Sequence, residues 1–520
     1  MSRHFLALFI ASLVFMAPRQ AHGFSLLGLR PSWQTPEVGL APPYDSIVGG
    51  VMQIGEGYRF NMPVLTYAYD ASFLRYFGSD GVAAIESAMK VLNGIPTADS
   101  MSQSLEEFPQ NTIRHNAVGS ALSIIDLKTT ALSLMLEQLG VGSPENYVWS
   151  IRAHATVNGI EEFSVFNPNF DPVTLSRTAY INGYQYTYNI ELTRPGEWKA
   201  FSSPVDPLAP AFSTVSGYVQ AALFGFTSSG RGASLAFAPG TYFPALTRED
   251  VGTFRYLLST KNYAVESLLP DVVASTGGAI GVSGGTTVGS GGTSGGGTGG
   301  GSSGGFGEPW SPAFSVLAGG TGSANPPWSI VTVSTNVATN TVVVTPVSTG
   351  LPRVVTALRP GVGKYQFVQI GYDSILGAST RPYLVTWLDR YVTNNTTGLQ
   401  ALARRITVPD ILFSAGDLGV VVVNPVLVRV TADGYVDNSA LNRVGGIQDT
   451  FLAGPGIITS GKFINFSKLG RYYFHIGLGG EAAGFYFGGW GSYDGSTNAP
   501  VLYPAGTSIK GIEKLVLGGR

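Results

Sequence analysis

Three histidines bound the metal and acid-base chemistry open to this chain once its N-terminal leader is set aside: His115, His154 and His475, far apart in the sequence. There is no cysteine, which removes thiol catalysis, iron–sulfur clusters and cysteine-based zinc sites. A Ser-His-Asp triad would need one of those histidines, and none is accompanied by a GxSxG nucleophile elbow. His475, in RYYFHIGL, reads as an ordinary strand histidine. Paired carboxylates, as in glycoside hydrolysis, are the remaining machinery, with Glu161, Glu162, Asp206, Glu249 and Asp250 available. Neighbouring residues on a strand point to opposite faces, so Glu161 and Glu162 make a poor pair. Glu249 and Asp250 are accounted for by helix capping and the helix dipole. No DxDxDG calcium loop is present. No residue is therefore assigned a catalytic, cofactor-binding or metal-ligating role.

One further group could bind rather than react. The segment GFYFGGWGSYDG carries Phe485, Phe487, Trp490 and Tyr493 among glycines. Such rings can stack on a carbohydrate or fill a sheet core, and filling is the commoner use.

The elements that must position these residues are legible in pieces. Residues 79–93 place Val82, Ile85, Met89 and Leu92 on one face of a helix, with Glu86 four before Lys90 and Asn93-Gly94 as a stop. Residues 126–139 form a second helix, from an Asp126 N-cap to Gly140, apolar on much of its circumference and therefore buried. A third starts at Thr247, where Thr247 and Asp250 have capping-box spacing and Leu246 and Val251 that of a hydrophobic staple. From Val148 to about Phe226 the chain is aromatic and β-branched. Asn158-Gly159, Asn182-Gly183 and Arg194-Pro195-Gly196 punctuate it as turns, the first a hairpin.

Beyond residue 307 nearly everything is strand-like, and no fixed-period repeat appears. Between the halves, residues 275–307 are almost all Gly, Ser and Thr. Such a stretch buries too little apolar surface to offset its chain entropy, and as a flexible tether its ends average roughly 30 Å apart. The expected organisation is an α+β domain over 24–274 with a β insertion at about 148–234, the linker 275–307, and an antiparallel sandwich-like region over 308–520, one or two domains in a multidomain chain.

Several N-terminal pieces resemble the catalytic domain of matrixin-type metzincin proteases. LTYAYDASF (65–73) followed by helix 80–93 is similar to that family's first strand and helix. LAFAPGTYFPALTREDVGTFRYLL (235–258) is similar to its Met-turn and the acidic start of its last helix, with Glu249 and Asp250 as the acidic pair. The family's zinc motif, HExxHxxGxxH, is absent. With the turn at Leu139-Gly140-Val141 aligned to the family's, the metal helix becomes Ser133, Leu134, Met135, Leu136 and Glu137, with Ser143 near the third ligand. Leu134 then stands at the base position, and Ala236 or Phe237 where the Met-turn methionine would be. The resemblance implies a degenerate, inactive protease scaffold. Whether Ser133 and Glu137 line a cleft or a packed core decides that reading.

The first 23 residues read as a secretory signal peptide: Arg3 and His4, an apolar run from Phe5 to Ala17, then Ala21 and Gly23 spaced for signal peptidase. The run is shorter than the roughly 20 residues a membrane span needs. Losing Arg3 and Arg19 moves the formal net charge from −2 to −4, which points away from nucleic acid. The expectation is a secreted, extracellular or periplasmic protein without a cofactor or mature membrane span, non-enzymatic, with a carbohydrate or another protein as its partner. The alternative is a secreted peptidase or glycosidase with an unrecognised site.

Overall fold

The computed structural model describes residues 22–28, 33–39, 50–209, 212–224, 239–275, 330–336, 341–347, 353–417, 421–422, 427–431, 434–436, 456–458, 462–468, 471–475, 482–486, 489–493, 495 and 498–512. Within them the chain is a mixed α+β structure with several small antiparallel sheets. The linker, Ser275 apart, lies outside the described residues.

Strand Val64–Tyr69 is buried along nearly all of its length, the pattern of an inner strand covered on both faces. It lies second in a five-stranded sheet ordered Gln366–Gln369, Val64–Tyr69, Ile411–Gly416, Lys462–Ser467, Val421–Val422. The first four strands are parallel and the last is antiparallel. Asp410 helps fix the register by accepting hydrogen bonds from the Thr66 amide (2.8 Å) and hydroxyl (2.9 Å), while it pairs with Arg404 at 2.7 Å.

A second five-stranded sheet is wholly antiparallel, ordered Ala264–Ser267, Thr356–Arg359, Tyr383–Thr393, Thr396–Ile406, Val272–Ala274. Both sheets draw strands from either side of the Gly/Ser/Thr segment. The expected self-contained C-terminal sandwich over 308–520 is thus corrected. Strand periodicity identifies strands but carries no record of their partners, and parallel neighbours are remote in sequence by necessity.

Two arginines form a buried network at the second sheet: Arg59 links it to the rest of the chain, and Arg359 ties its own strands together. Arg59 pairs with Glu266 at 2.8 Å and donates to the carbonyls of Leu257 (2.6 Å), Asn262 (3.0 Å) and Arg359 (3.2 Å). Arg359 pairs with Asp389 at 3.0 Å and donates to the carbonyls of Glu266 (2.6 Å), Val355 (3.0 Å) and Val354 (2.7 Å). All four side chains are buried.

The helices follow their local signals with two differences. The run Ala71–Asn93 is two helices: the predicted one over 79–93 and, ahead of it, a short turn that Asp70 caps by accepting the Phe73 amide. The run breaks at Gly78 (φ 60°, ψ −158°), so Phe73 and Phe77 belong to a separate short turn of helix that packs on Phe413 and Phe466. The second difference is a helix at Val215–Phe224, inside the stretch read as strands. Thr214 accepts the Gly217 amide there at 3.0 Å, and Ser213-Thr214 ahead of an apolar run is a start signal the strand reading passed over.

Helix Leu127–Gln138 is buried at every position except Lys128. It ends at Gly140 with φ +87°, where a Cβ would lie 2.4 Å from the Tyr58 carbonyl oxygen. Gly140→Ala should therefore lower stability by more than about 1 kcal/mol, read as a drop in urea midpoint at unchanged slope. Helix Arg248–Leu258 has the expected capping box, with Leu246 and Val251 both buried.

The turn readings at Asn158-Gly159 and Asn182-Gly183 both show the positive φ angles of a type I′ hairpin. The first joins Ser150–Val157 to Ile160–Phe166, and Pro195-Gly196 joins Tyr184–Arg194 to Glu197–Pro204. These two ribbons set Ile160, Tyr188 and Leu192 outward.

Candidate functional site

The positions that the protease resemblance sets against zinc ligands lie on one helix and the turn after it. Ser133 is 1 % exposed, and its hydroxyl accepts the Val219 amide at 3.1 Å. Leu134, at the base position, is 2 % exposed. Glu137 is 8 % exposed, and burial pushes its carboxyl up to about 7. Ser143 is spent as the N-cap of the short helix Pro144–Tyr147, accepting the Asn146 amide at 3.3 Å. Ser133 and Glu137 therefore sit in a packed core, and helix Val215–Phe224 covers the first of them. Ala236 and Phe237 lie outside the described residues.

Two serines and one carboxyl do not make a zinc site, which needs about three nitrogen, sulfur or carboxylate ligands and an open position. Among the described residues no group of three or more His, Asp or Glu side chains is placed to hold a metal ion.

The acidic residues nearby act on backbone amides. Asp250 accepts from the Thr247 amide (2.9 Å) and hydroxyl (2.7 Å), and also from the amides of Val215 (3.1 Å) and Ser216 (2.9 Å). Glu145 accepts from the amides of Ser213 (2.8 Å) and Thr214 (3.0 Å) and from the Thr214 hydroxyl (2.7 Å). Burial raises the Glu145 carboxyl, against the opposing effect of those hydrogen bonds. Two carboxylates thus hold the first turn of helix Val215–Phe224 in place over the core helix. Sequence reasoning assigned Asp250 to its own helix cap and did not connect Glu145 to this clamp. The partner segment is about 70 residues away from Glu145, so no local pattern links them.

The remaining candidates are dispersed. Glu161 pairs with His154 on the neighbouring strand, and His154 also meets Glu37 at 3.1 Å. The Glu161 bond and then that to Glu37 raise the His154 imidazole. Glu162 takes no part in that pair. Asp206 accepts the Leu208 amide at 2.8 Å in a surface turn. His115 lies in a two-residue strand paired with Thr241–Tyr242, and His475 ends strand Arg471–His475.

Of the aromatic group, Trp490 is 0 % exposed. Its ring meets Phe466 at 5.5 Å and Phe77 at 6.4 Å, and its indole N–H donates to the Ser467 carbonyl at 2.7 Å. As a platform for a sugar it is closed off, a correction to that expectation. It stands on strand Gly489–Ser492, which pairs in parallel with Ile124–Asp126 and so faces the core. Tyr493 is half-buried against Tyr242 at 5.1 Å, its hydroxyl donating to the Ile124 carbonyl at 2.8 Å. Phe485 lies in strand Ala482–Tyr486, and Phe487 is outside the described residues.

No protein-family model matches this chain. Neither a curated protein nor a solved structure is significantly similar to it. Its function is therefore argued from its own residues.

Proposed function

We propose that this is an exported, non-enzymatic surface or matrix protein whose N-terminal part keeps a protease-like arrangement with the catalytic position filled. The observation that carries the reading is the packing at Ser133: the helix that would bear zinc ligands is enclosed, and its serine is hydrogen-bonded to the covering helix. Export is read from the leader. Among the described residues no helix is long and apolar enough to cross a membrane. Partner binding, to a carbohydrate or another protein, falls to the two ribbons, where Ile160 and Leu192 are exposed beside a Tyr188 that packs one side on Trp149 at 5.0 Å.

The test is metal content together with turnover. Purified exported protein should retain no stoichiometric zinc after dialysis and should cleave no member of a fluorogenic peptide library. One zinc per chain with EDTA-sensitive cleavage would sink the reading.

Glu137 supplies a second check. Its folded-state pKa lies above the usual 4.5, so the neutral form is favoured when folded; stability is full below pH 4.5 and falls as pH rises through about 7. Glu137→Gln should remove that loss, stabilising the protein by about 3 kcal/mol at pH 8 and leaving it unchanged near pH 4. Thermal melts at the two pH values measure it. A glutamate retained for catalysis would instead cost activity when replaced.

A further inference from the structure

Glu249 is the acidic residue that neither the capping box nor the amide clamp uses. Its side chain is fully buried. One oxygen, Oε1, accepts the Asn182 amide at 2.5 Å, lies 3.4 Å from the Gly23 amide nitrogen and meets Nδ1 of His22 at 3.1 Å. The other, Oε2, is buried without a hydrogen-bond partner. Gly23 itself is tightly held, since a Cβ there would lie 2.5 Å from the Tyr180 carbonyl oxygen.

The chain that follows is equally fixed. Phe24 is 1 % exposed, packs on Phe170 and Tyr256, and exchanges backbone hydrogen bonds with Phe170 at 3.0 and 2.9 Å. Ser25–Gly28 then forms the middle strand of a three-stranded sheet.

We propose that the mature chain begins at Phe24 and that its new α-ammonium group is held by Glu249 in this closed pocket. The inference rests on the export reading. A signal peptidase adds water across the Gly23–Phe24 amide: the C–N bond breaks, Gly23 leaves with a carboxylate, and Phe24 takes the proton as an ammonium. That cut removes His22 and the Gly23 amide together. Glu249 keeps only the Asn182 amide, and a buried carboxylate left so nearly unpaired is strongly destabilising. The cut also creates a cation at the Phe24 nitrogen, which already donates to the Phe170 carbonyl at 3.0 Å and lies within about 3.8 Å of the Gly23 nitrogen that sits 3.4 Å from Glu249 Oε1. Because Gly23 and Phe24 are enclosed, the cut precedes folding, and the fold closes over the new terminus.

The test begins with the full precursor expressed in an exporting bacterial host. Intact mass and N-terminal sequencing should show Phe24 first; a secreted product starting elsewhere overturns the assignment. Uncleaved, retained precursor overturns the export reading instead. The pocket is then probed separately, on a chain starting at Phe24 released from a cleavable fusion. Its α-amine should react about fivefold more slowly with an amine-selective reagent at pH 8 than the same amine in Glu249→Gln, as expected if the ion pair raises an α-amino pKa of about 8 by about one unit. Equal rates overturn the pocket. Should Glu249→Gln fail to fold, a wild-type chain with one extra glycine before Phe24 takes its place. That chain should melt at lower temperature than the Phe24 chain, and identical melting overturns the proposal.

Discussion

Arg359→Met should cost roughly 3–5 kcal/mol of folding stability, among the largest losses expected from any single substitution in this protein. The arginine is 2 % exposed, and its removal strands the carboxylate of Asp389, itself 6 % exposed and left with the Gln400 side-chain amide at 2.7 Å. It also leaves the carbonyls of Val354, Val355 and Glu266 without this donor. Chemical denaturation should show the midpoint fall with little change in slope. The double variant Arg359→Met with Asp389→Leu should recover part of the loss, because the cost lies mainly in the orphaned charge rather than in a missing attraction. If the single variant is as stable as the parent, the network is not holding the strands of the second sheet together.

Trp490→Ala should cost a similar amount, roughly 3–5 kcal/mol, through the cavity it opens between Phe77, Phe466 and the neighbouring strands. The indole also satisfies the buried Ser467 carbonyl. Trp490→Phe should be milder, keeping most of the volume and losing the hydrogen bond. Thermal unfolding of the two variants separates these contributions. Any loss of partner binding in Trp490→Ala should track the unfolded fraction, whereas Ile160→Ala on the exposed ribbon should leave stability nearly unchanged. A Trp490→Ala protein that melts like the parent but no longer binds a glycan would reverse this assignment.

These expectations mark where the sequence was informative. The Asp126 cap, the Thr247–Asp250 capping box and the Asn-Gly turns were readable because each is set by residues within about four positions of one another, where local backbone chemistry decides. The absence of cysteine and of any HExxH pair was equally plain, and it determined that no family-type zinc centre could be built. The proposal of export, too, rests on the leader sequence alone.

What only the tertiary structure decided depends on residues hundreds of positions apart. Val64–Tyr69 pairs with strands beyond residue 365, Glu145 and Asp250 meet on the helix at Val215, and Arg59 reaches Glu266 and the Arg359 carbonyl. Trp490 could be read as platform or core filler until its strand was placed beside Ile124–Asp126. Periodicity names a buried face without naming what buries it, so the enclosure of Ser133 became visible only once helix Val215–Phe224 lay across it.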